Sequence, residues 1–559
     1  MISIDRSTPA ARRRLAIRTL GGVAALAFLV GLIVGATTPS GAERATRSFA
    51  TAWSRGDYAG MYRLLTPAAR KRVSPAAFRS AYATASATAT VVGMDIGHIH
   101  GDHFNAAMRT RIFGVVRGTV RVPTVDDHVD WQPYMVFPGL SRGALLSRRT
   151  VAPKRARILS RDGHTIVSGP GSARVVVPGP ASSIAGTVAA PASAPARSAA
   201  YARGFPAGTP VGVNGLEAAL EPALAGRPGG ELLAGSRRLA ASAPVPARSV
   251  RSTIDLRVQS AAVQALAGRF GGIAALDPGT GRVRALAGIA FSAPQPPGST
   301  FKIITATAAL EARVVKPSNS FPVETKAVID GVDLQNANGE SCGGTFPQTF
   351  AESCNSVFAP LGVKVGAARL VAAAERFGFN EPPSLPGAAP SSLPPAAEID
   401  SPLAVGSTAI GQGKVLATPL EMAVVADTIA SRGVRHQPTL LEHGPRRPGI
   451  RVTTKRIARI VERLMIGVVR YGTGTAASLA PVTVAGKTGT AELQSTVGQP
   501  PPGEQGAAPA SDTDAWFAAY APTRRPRLAV GVLFVKAGAG GTTAAPAARI
   551  VLAAGLSGR

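Results

Sequence analysis

Cysteine, lysine, acidic residues and aromatics are all sparse in this chain. Its 559 residues hold two cysteines, too few for a disulfide framework or a cysteine-built zinc site. Aromatic residues make up 5%. No Gly-rich phosphate loop and no HExxH motif occurs, so neither a nucleotide cofactor nor a catalytic zinc is expected. Asp and Glu number 32 against 61 Lys and Arg, a formal net charge of +29. So basic a chain first suggests nucleic acid as partner. What is present excludes a wholly disordered protein: 45% of residues are hydrophobic and 17% charged, enough apolar material for real cores. The length implies several domains. Gly (62) and Pro (46) are abundant, so linkers are expected.

Arg12, Arg13, Arg14 and Arg18 precede an apolar run from Leu20 to Ala36. With Leu15, Ala16 and Ile17 the stretch approaches the length needed to cross a bilayer core of roughly 30 Å. The arginines set an N-inside orientation, with the long chain outside. The expectation is a cytoplasmic tail over 1–14 and a single-pass anchor over 15–37 in the cell membrane. The alternative is a cleaved signal peptide, with Ser40 and Ala42 as the small-residue site. Either reading excludes a cytosolic enzyme and removes the chain from genomic DNA, so no nucleic-acid partner is expected. Outside the membrane Cys342 and Cys354 are expected to pair, two buried thiols being the alternative.

Beyond the anchor, Phe49, Trp53, Tyr58, Met61, Tyr62 and Leu65 recur at helical spacing, and Val91–Pro138 turns strand-like. Helices followed by a sheet make a small α+β domain over 44–148. Residues 168–200, 382–397 and 499–511 are rich in Ala, Pro, Ser and Gly and read as loop or linker. Ile254–Leu266 reads as an amphipathic helix. Gly272–Leu276 and Val283–Ala287 flank Asp277-Pro278-Gly279-Thr280-Gly281, a hairpin signature. Strands at Trp516–Tyr520 and Leu528–Val535 and an Ala-rich helix close an α/β core over 252–559. No internal repeat is evident.

Within that core Pro297-Gly298-Ser299-Thr300-Phe301-Lys302 leads into the helix-forming run Ile303–Ala312. Pro and Gly mark a loop, placing Ser299 at a helix N-terminus with Lys302 on the same face. A serine hydroxyl needs a base to become a nucleophile, and a neutral lysine within reach supplies one. Ser-x-x-Lys alone is weak. It occurs once here, however, and two further elements follow in order: Ser353-Cys354-Asn355, and Lys487-Thr488-Gly489-Thr490 on an expected strand.

This triple resembles the active site of the serine penicillin-recognising enzymes. Gly411-Gln412-Gly413 and Ala417-Thr418-Pro419-Leu420-Glu421-Met422-Ala423 resemble the GQG…TPLQxA segment of the transpeptidases, and Ala515-Trp516-Phe517 through Pro522 resembles the strand after their third motif. Residues 155–163 are similar to the RGxIxDRNG entry of class B penicillin-binding proteins, departing at Ala156 and Ser160. Gly215-Leu216-Glu217 resembles the GLE signature of their pedestal domain. The N-terminal α+β domain looks like the cone-shaped domain of low-affinity class B members.

The resemblance implies a multidomain fold: one N-terminal transmembrane helix, the cone-shaped α+β domain, a mostly β or irregular pedestal over 150–250, and a β-lactamase-like α/β transpeptidase domain. In that last domain helices flank an antiparallel sheet. It implies a peptidoglycan D,D-transpeptidase. Ser299 attacks the penultimate D-Ala carbonyl and Lys302 takes its proton. Ser353 relays protons to the leaving group, and Asn355 holds Lys302 and the substrate amide. Lys487, Thr488 and Thr490, with Gly489 between them, grip the terminal carboxylate, and the N–H groups of Ser299 and Thr490 form the oxyanion hole. Implied partners are stem peptides, an acceptor amine, β-lactams and a glycosyltransferase partner protein. A D,D-carboxypeptidase, a β-lactamase-like hydrolase and a non-catalytic β-lactam-binding scaffold are the alternatives. No Glu between Asn355 and Lys487 has an Asn four residues on, which counts against a class A β-lactamase.

His98, His100 and His103 could suggest a metal, but three surface histidines in a strand and turn are preferred. Residues 252–559 hold 29 basic and 20 acidic residues, and residues 1–251 hold 32 and 12. The basic excess thus sits near the membrane, where it suits anionic head groups or wall polymers, or reflects arginine-rich composition alone.

Overall fold

The computed structural model describes residues 40–445, 447–492 and 512–557. The expected tail over 1–14, the anchor over 15–37 and the whole of the 499–511 linker lie outside these residues. Among those described, no single helix is long and apolar enough to cross a membrane.

The chain divides into two units. One comprises the residues up to 153 with 192–208 and 227–245; the other comprises 154–191, 209–226 and 246 onward. The expected pedestal over 150–250 is therefore not a body of its own. Its strands Gly229–Ala234 and Arg237–Ser242 join Leu146–Val151 in a sheet of the first unit. Ile158–Leu159, Thr165–Ser168 and Val175–Val176 form a small sheet with Val250–Arg251 in the second. Each piece is too short to enclose a core, so it borrows one. Part of the expected linker over 168–200 is also ordered, with a helix at Ala194–Ala202.

The first unit opens with α1 (Gly41–Ser54), α2 (Tyr58–Arg63), α3 (Pro67–Arg72) and α4 (Pro75–Ala89). Four short helices arise because capping residues recur. Ser40, Asp57, Thr66 and Ser74 each accept a hydrogen bond from the N–H three residues on, and Pro67 and Pro75 follow their caps at the first helical position. The antiparallel meander β1 (Val91–His100), β2 (His103–Thr110) and β3 (Val115–Arg121) follows. Phe49, Trp53, Phe78, Tyr82, Phe104 and Trp131 fill the core between helices and sheet.

The second unit is built on five antiparallel strands: β4 (Gly271–Asp277), β5 (Arg282–Gly288), β6 (Ala485–Glu492), β7 (Thr513–Ala521) and β8 (Leu528–Phe534). Their order in space is β5-β4-β8-β7-β6. Successive side chains go to opposite faces. Ile273, Ala275, Phe517 and Val532 meet α5 (Leu256–Leu266) and α12 (Ala544–Leu556) on one side. Ala274, Leu276, Trp516 and Leu533 belong to the core on the other. That side carries α6 (Lys302–Glu311), α7 (Phe346–Ala351), α8 (Asn355–Val365), α9 (Ala367–Phe377), α10 (Pro419–Ala430) and α11 (Lys455–Arg470). A sheet covered on both faces explains why β7 and β8 are buried along their whole length and, after Thr513-Asp514, read as apolar runs. Among the described residues β6 is an edge strand, paired only with β7. The two upstream motifs meet in this unit: Arg155 pairs with Glu217 and Glu221, and Arg174 pairs with Glu217, all nearly or fully buried. At the departures from the pattern the turn still closes, the Ser160 carbonyl accepting from Gly163 N–H at 3.1 Å.

Candidate active site

The site is assembled from three segments far apart in sequence. The first is the turn at Ser299. Gly298 has φ +51°, and one 3₁₀ turn (Gly298–Phe301) precedes α6. The α-helix thus begins at Lys302 rather than at Ser299, because the left-handed Gly298 delays regular helical bonding. Ser299 is half-buried and Lys302 wholly buried. The second segment is the start of α8 with Ser353 and Asn355. The third is β6 with Lys487 to Thr490.

Glycines let these segments touch. A β-carbon on Gly489 would lie 2.7 Å from the carbonyl oxygen of Pro297, and one on Gly298 would lie 2.7 Å from that of Thr490. The serine turn therefore sits directly on β6, and no larger residue fits at either position.

Lys302 Nζ donates to Ser353 O at 2.7 Å, Asn355 Oδ1 at 2.6 Å and Ser353 Oγ at 3.4 Å. Asn355 is held by its own Nδ2, which donates to Gln335 O at 2.7 Å. Lys487 Nζ donates to Ser353 Oγ at 2.8 Å and to Thr488 O at 3.2 Å. Ser353 Oγ thus bridges two buried lysines. Ser353 itself has φ +66°, a left-handed conformation for a non-glycine residue, which is what turns its side chain and its carbonyl toward the same lysine. Among the described residues, neither lysine pairs with a carboxylate. Burial, and secondly the neighbouring charge of Lys487, push Lys302 well below the usual lysine range. Burial lowers Lys487 to about 7. An amine of lowered proton affinity one helical turn from a serine hydroxyl can act as a general base toward it.

All eight proposed catalytic and substrate-binding residues converge here. Cys342 and Cys354 form a disulfide with Cα atoms 5.5 Å apart, tying the strand Cys342–Thr345 to the residue between Ser353 and Asn355. Several contributors carried no sequence signal strong enough to single out. Phe358 lies 5.4 Å from Lys302 Nζ and Phe350 lies 5.6 Å from Lys487 Nζ, so each ammonium faces a ring. Thr473, within Gly472-Thr473-Gly474, contacts Thr488 through their hydroxyls at 2.6 Å. That Gly-Thr-Gly run, a mark of close backbone approach, was the available clue. The histidines are elsewhere: His98, His100 and His103 line the β1–β2 hairpin, their successive ring centroids 6.3 and 5.7 Å apart.

Comparison with known proteins agrees with this geometry. The penicillin binding protein transpeptidase domain model matches residues 271–553. The peptidoglycan D,D-transpeptidase PbpA of Mycolicibacterium smegmatis is 34% identical over 290 residues, 48% of this chain and 56% of that protein. The PbpA of Mycobacterium tuberculosis is 34% identical over 295 residues, with the same coverage. The chain thus matches little more than half the length of these relatives. Among solved structures, penicillin-binding protein A of M. tuberculosis as a ceftriaxone acyl-enzyme complex superposes with TM-score 0.57 at 25% identity, covering 72% of this chain and 99% of that one. The D,D-transpeptidase domain of a peptidoglycan glycosyltransferase from Eggerthella lenta gives TM-score 0.56 at 28% identity, covering 73% and 99%. With just over half of its length matched by the family model, and the three motifs joined around one serine, this chain belongs to the penicillin-binding protein transpeptidase family.

Proposed function

We propose that the chain is a peptidoglycan D,D-transpeptidase of the class B type. One observation carries the reading: a fully buried lysine, without a carboxylate partner among the described residues, stands one turn from Ser299 and shares Ser353 Oγ with a second buried lysine. Ser299 Oγ attacks the carbonyl of the penultimate D-Ala while its proton passes to neutral Lys302. The C–N bond to the terminal D-Ala then breaks, and the departing amine takes a proton through Ser353. Lys487, Thr488 and Thr490 hold the donor carboxylate, and the N–H groups of Ser299 and Thr490 face the oxyanion. An amine from a neighbouring stem peptide attacks the acyl-enzyme and forms the cross-link. A β-lactam enters as a donor mimic and stalls as the acyl-enzyme.

The arginines before the apolar run support a single-pass membrane protein, N-terminus cytoplasmic and catalytic unit outside, and the Cys342–Cys354 disulfide fits an oxidising compartment. Cross-linking acts on polymerised strands, so a glycosyltransferase partner supplies the substrate. The test is acylation of the full-length chain by labelled penicillin, read by mass spectrometry. A label on the Ser299 peptide, absent in Ser299→Ala, is expected; labelling that survives Ser299→Ala would refute it. Product analysis with a stem-peptide donor and an amine acceptor then separates cross-linking from hydrolysis.

A further inference from the structure

We propose that Thr473 is a positioning residue that directs the hydroxyl proton of Thr488 toward the donor carboxylate. The inference rests on the transpeptidase reading above.

Thr488 and Thr490 lie two apart on β6 and so share one face. Among the described residues each hydroxyl oxygen meets one group of the protein. Gly540 N–H donates to Thr490 Oγ1 at 3.3 Å. A backbone N–H can only donate, so Thr490 accepts there and keeps its own proton. Thr488 Oγ1 meets Thr473 Oγ1 at 2.6 Å, a contact in which either hydroxyl could donate.

The surroundings of Thr473 allow both directions, and a bound anion selects between them. Its proton has one other acceptor among the described residues, the carbonyl of Ala351, at 3.3 Å. That carbonyl already receives the Thr473 backbone N–H at 3.1 Å. The Thr488 oxygen is closer and has no other donor among the described residues. With a carboxylate bound beside Thr488, the stronger chain runs from Thr473 through Thr488 to the anion, so Thr473 donates to Thr488 and the Thr488 proton goes to the carboxylate, as that of Thr490 does. Two neighbouring hydroxyls on one face, each accepting from the protein, present two outward protons to an anion. Donation into Thr488 also polarises its O–H, and bonds from such a chain to a charged acceptor are the stronger kind. The same threonine is anchored by its backbone N–H to Ala351, the last residue of α7 and two before Ser353, so one residue spans the second and third motifs.

The opposite polarity, with Thr488 donating to Thr473, predicts the reverse outcome when the Thr473 hydroxyl is removed. The experiment compares wild type, Thr473→Val and Thr473→Ser in the full-length chain. It measures second-order acylation rates with benzylpenicillin, which carries the carboxylate, and with its methyl ester, which does not. Thr473→Val is expected to slow benzylpenicillin about three- to tenfold, on the scale of part of one charge-assisted hydrogen bond, and to leave the ester rate within about twofold. Thr473→Ser is expected to restore the wild-type ratio. In a Thr488→Val background, Thr473→Val should add nothing for benzylpenicillin. Equal loss with both ligands would reduce Thr473 to a structural part and overturn the proposal, as would an unchanged or faster rate with benzylpenicillin. If wild type is acylated by neither ligand, the transpeptidase reading itself falls, and this inference with it.

Discussion

Replacing Lys487 by Met tests the electrostatics of the site. Both Nζ atoms contact Ser353 Oγ, at 3.4 and 2.8 Å. The two charges therefore lie within about 6 Å and, at an effective dielectric near 20, repel by about 3 kcal/mol when both are protonated. That repulsion multiplies the ratio of neutral to charged Lys302 by about a hundred. In the proposed mechanism neutral Lys302 is the base, so acylation is expected to rise with pH as Lys302 loses its proton. Its lowered pKa, from burial first and Lys487 second, puts this rise well below the ordinary lysine range. On the alkaline side the rate falls once Lys487, held at about 7 by burial, loses the charge that attracts the carboxylate. Removing the Lys487 cation leaves Lys302 more readily protonated, so the rising limb must move toward alkaline pH. The assay is the pH dependence of the second-order acylation rate with a chromogenic β-lactam, for wild type and Lys487→Met. The position of the limb is the quantity read, because the plateau also drops when the carboxylate loses its counter-charge. A limb that stays in place, or moves to lower pH, would refute the argument that one lysine tunes the other.

Three further outcomes are expected. Gly489→Ala would drive a β-carbon to within 2.7 Å of Pro297 O and push the serine turn off β6, lowering the acylation rate about a hundredfold, as displacements near 1 Å do; rates within about threefold of wild type would contradict the close approach. Glu217→Ala leaves Arg155 and Arg174 buried without their shared counter-charge and should cost about 3–5 kcal/mol in urea unfolding, whereas a loss below about 1 kcal/mol would show that the network relaxes into solvent. Opening the disulfide by Cys342→Ser with Cys354→Ser frees a loop closed over a separation of 12 residues, with an expected loss of about 3 kcal/mol in denaturant unfolding. An unchanged midpoint would mean that the segment is held by its other contacts.

Periodicity and turn chemistry made much of the second unit legible along the chain. The hairpin around Asp277-Pro278-Gly279 forms between Gly271–Asp277 and Arg282–Gly288, and α5 starts at Leu256 behind its cap Asp255. These are local effects, in which capping, turn residues and alternation act within a few positions. The expected pedestal was less legible. Its strands are two to six residues long, and which sheet each joins depends on partners up to about a hundred residues away in the chain. Short strands carry little pattern of their own, so the resemblance suggested one module where the chain divides into two shares.

The sequence by itself pointed to the chemistry. A single Ser-x-x-Lys, a Ser-x-Asn and a Lys-Thr-Gly in that order resemble the nucleophile, base and anion grip of the serine penicillin-recognising enzymes. Only the tertiary structure decided how they act. Packing α6, α8 and β6 together removed both lysines from water and, among the described residues, gave them no carboxylate, which lowered their proton affinity. The left-handed turn at Ser353 joined them through one hydroxyl, and Thr473, unremarkable in the sequence, came against Thr488. Burial, proximity and the direction of a hydroxyl proton are properties of neighbours brought together in space, and spacing along the chain does not contain them.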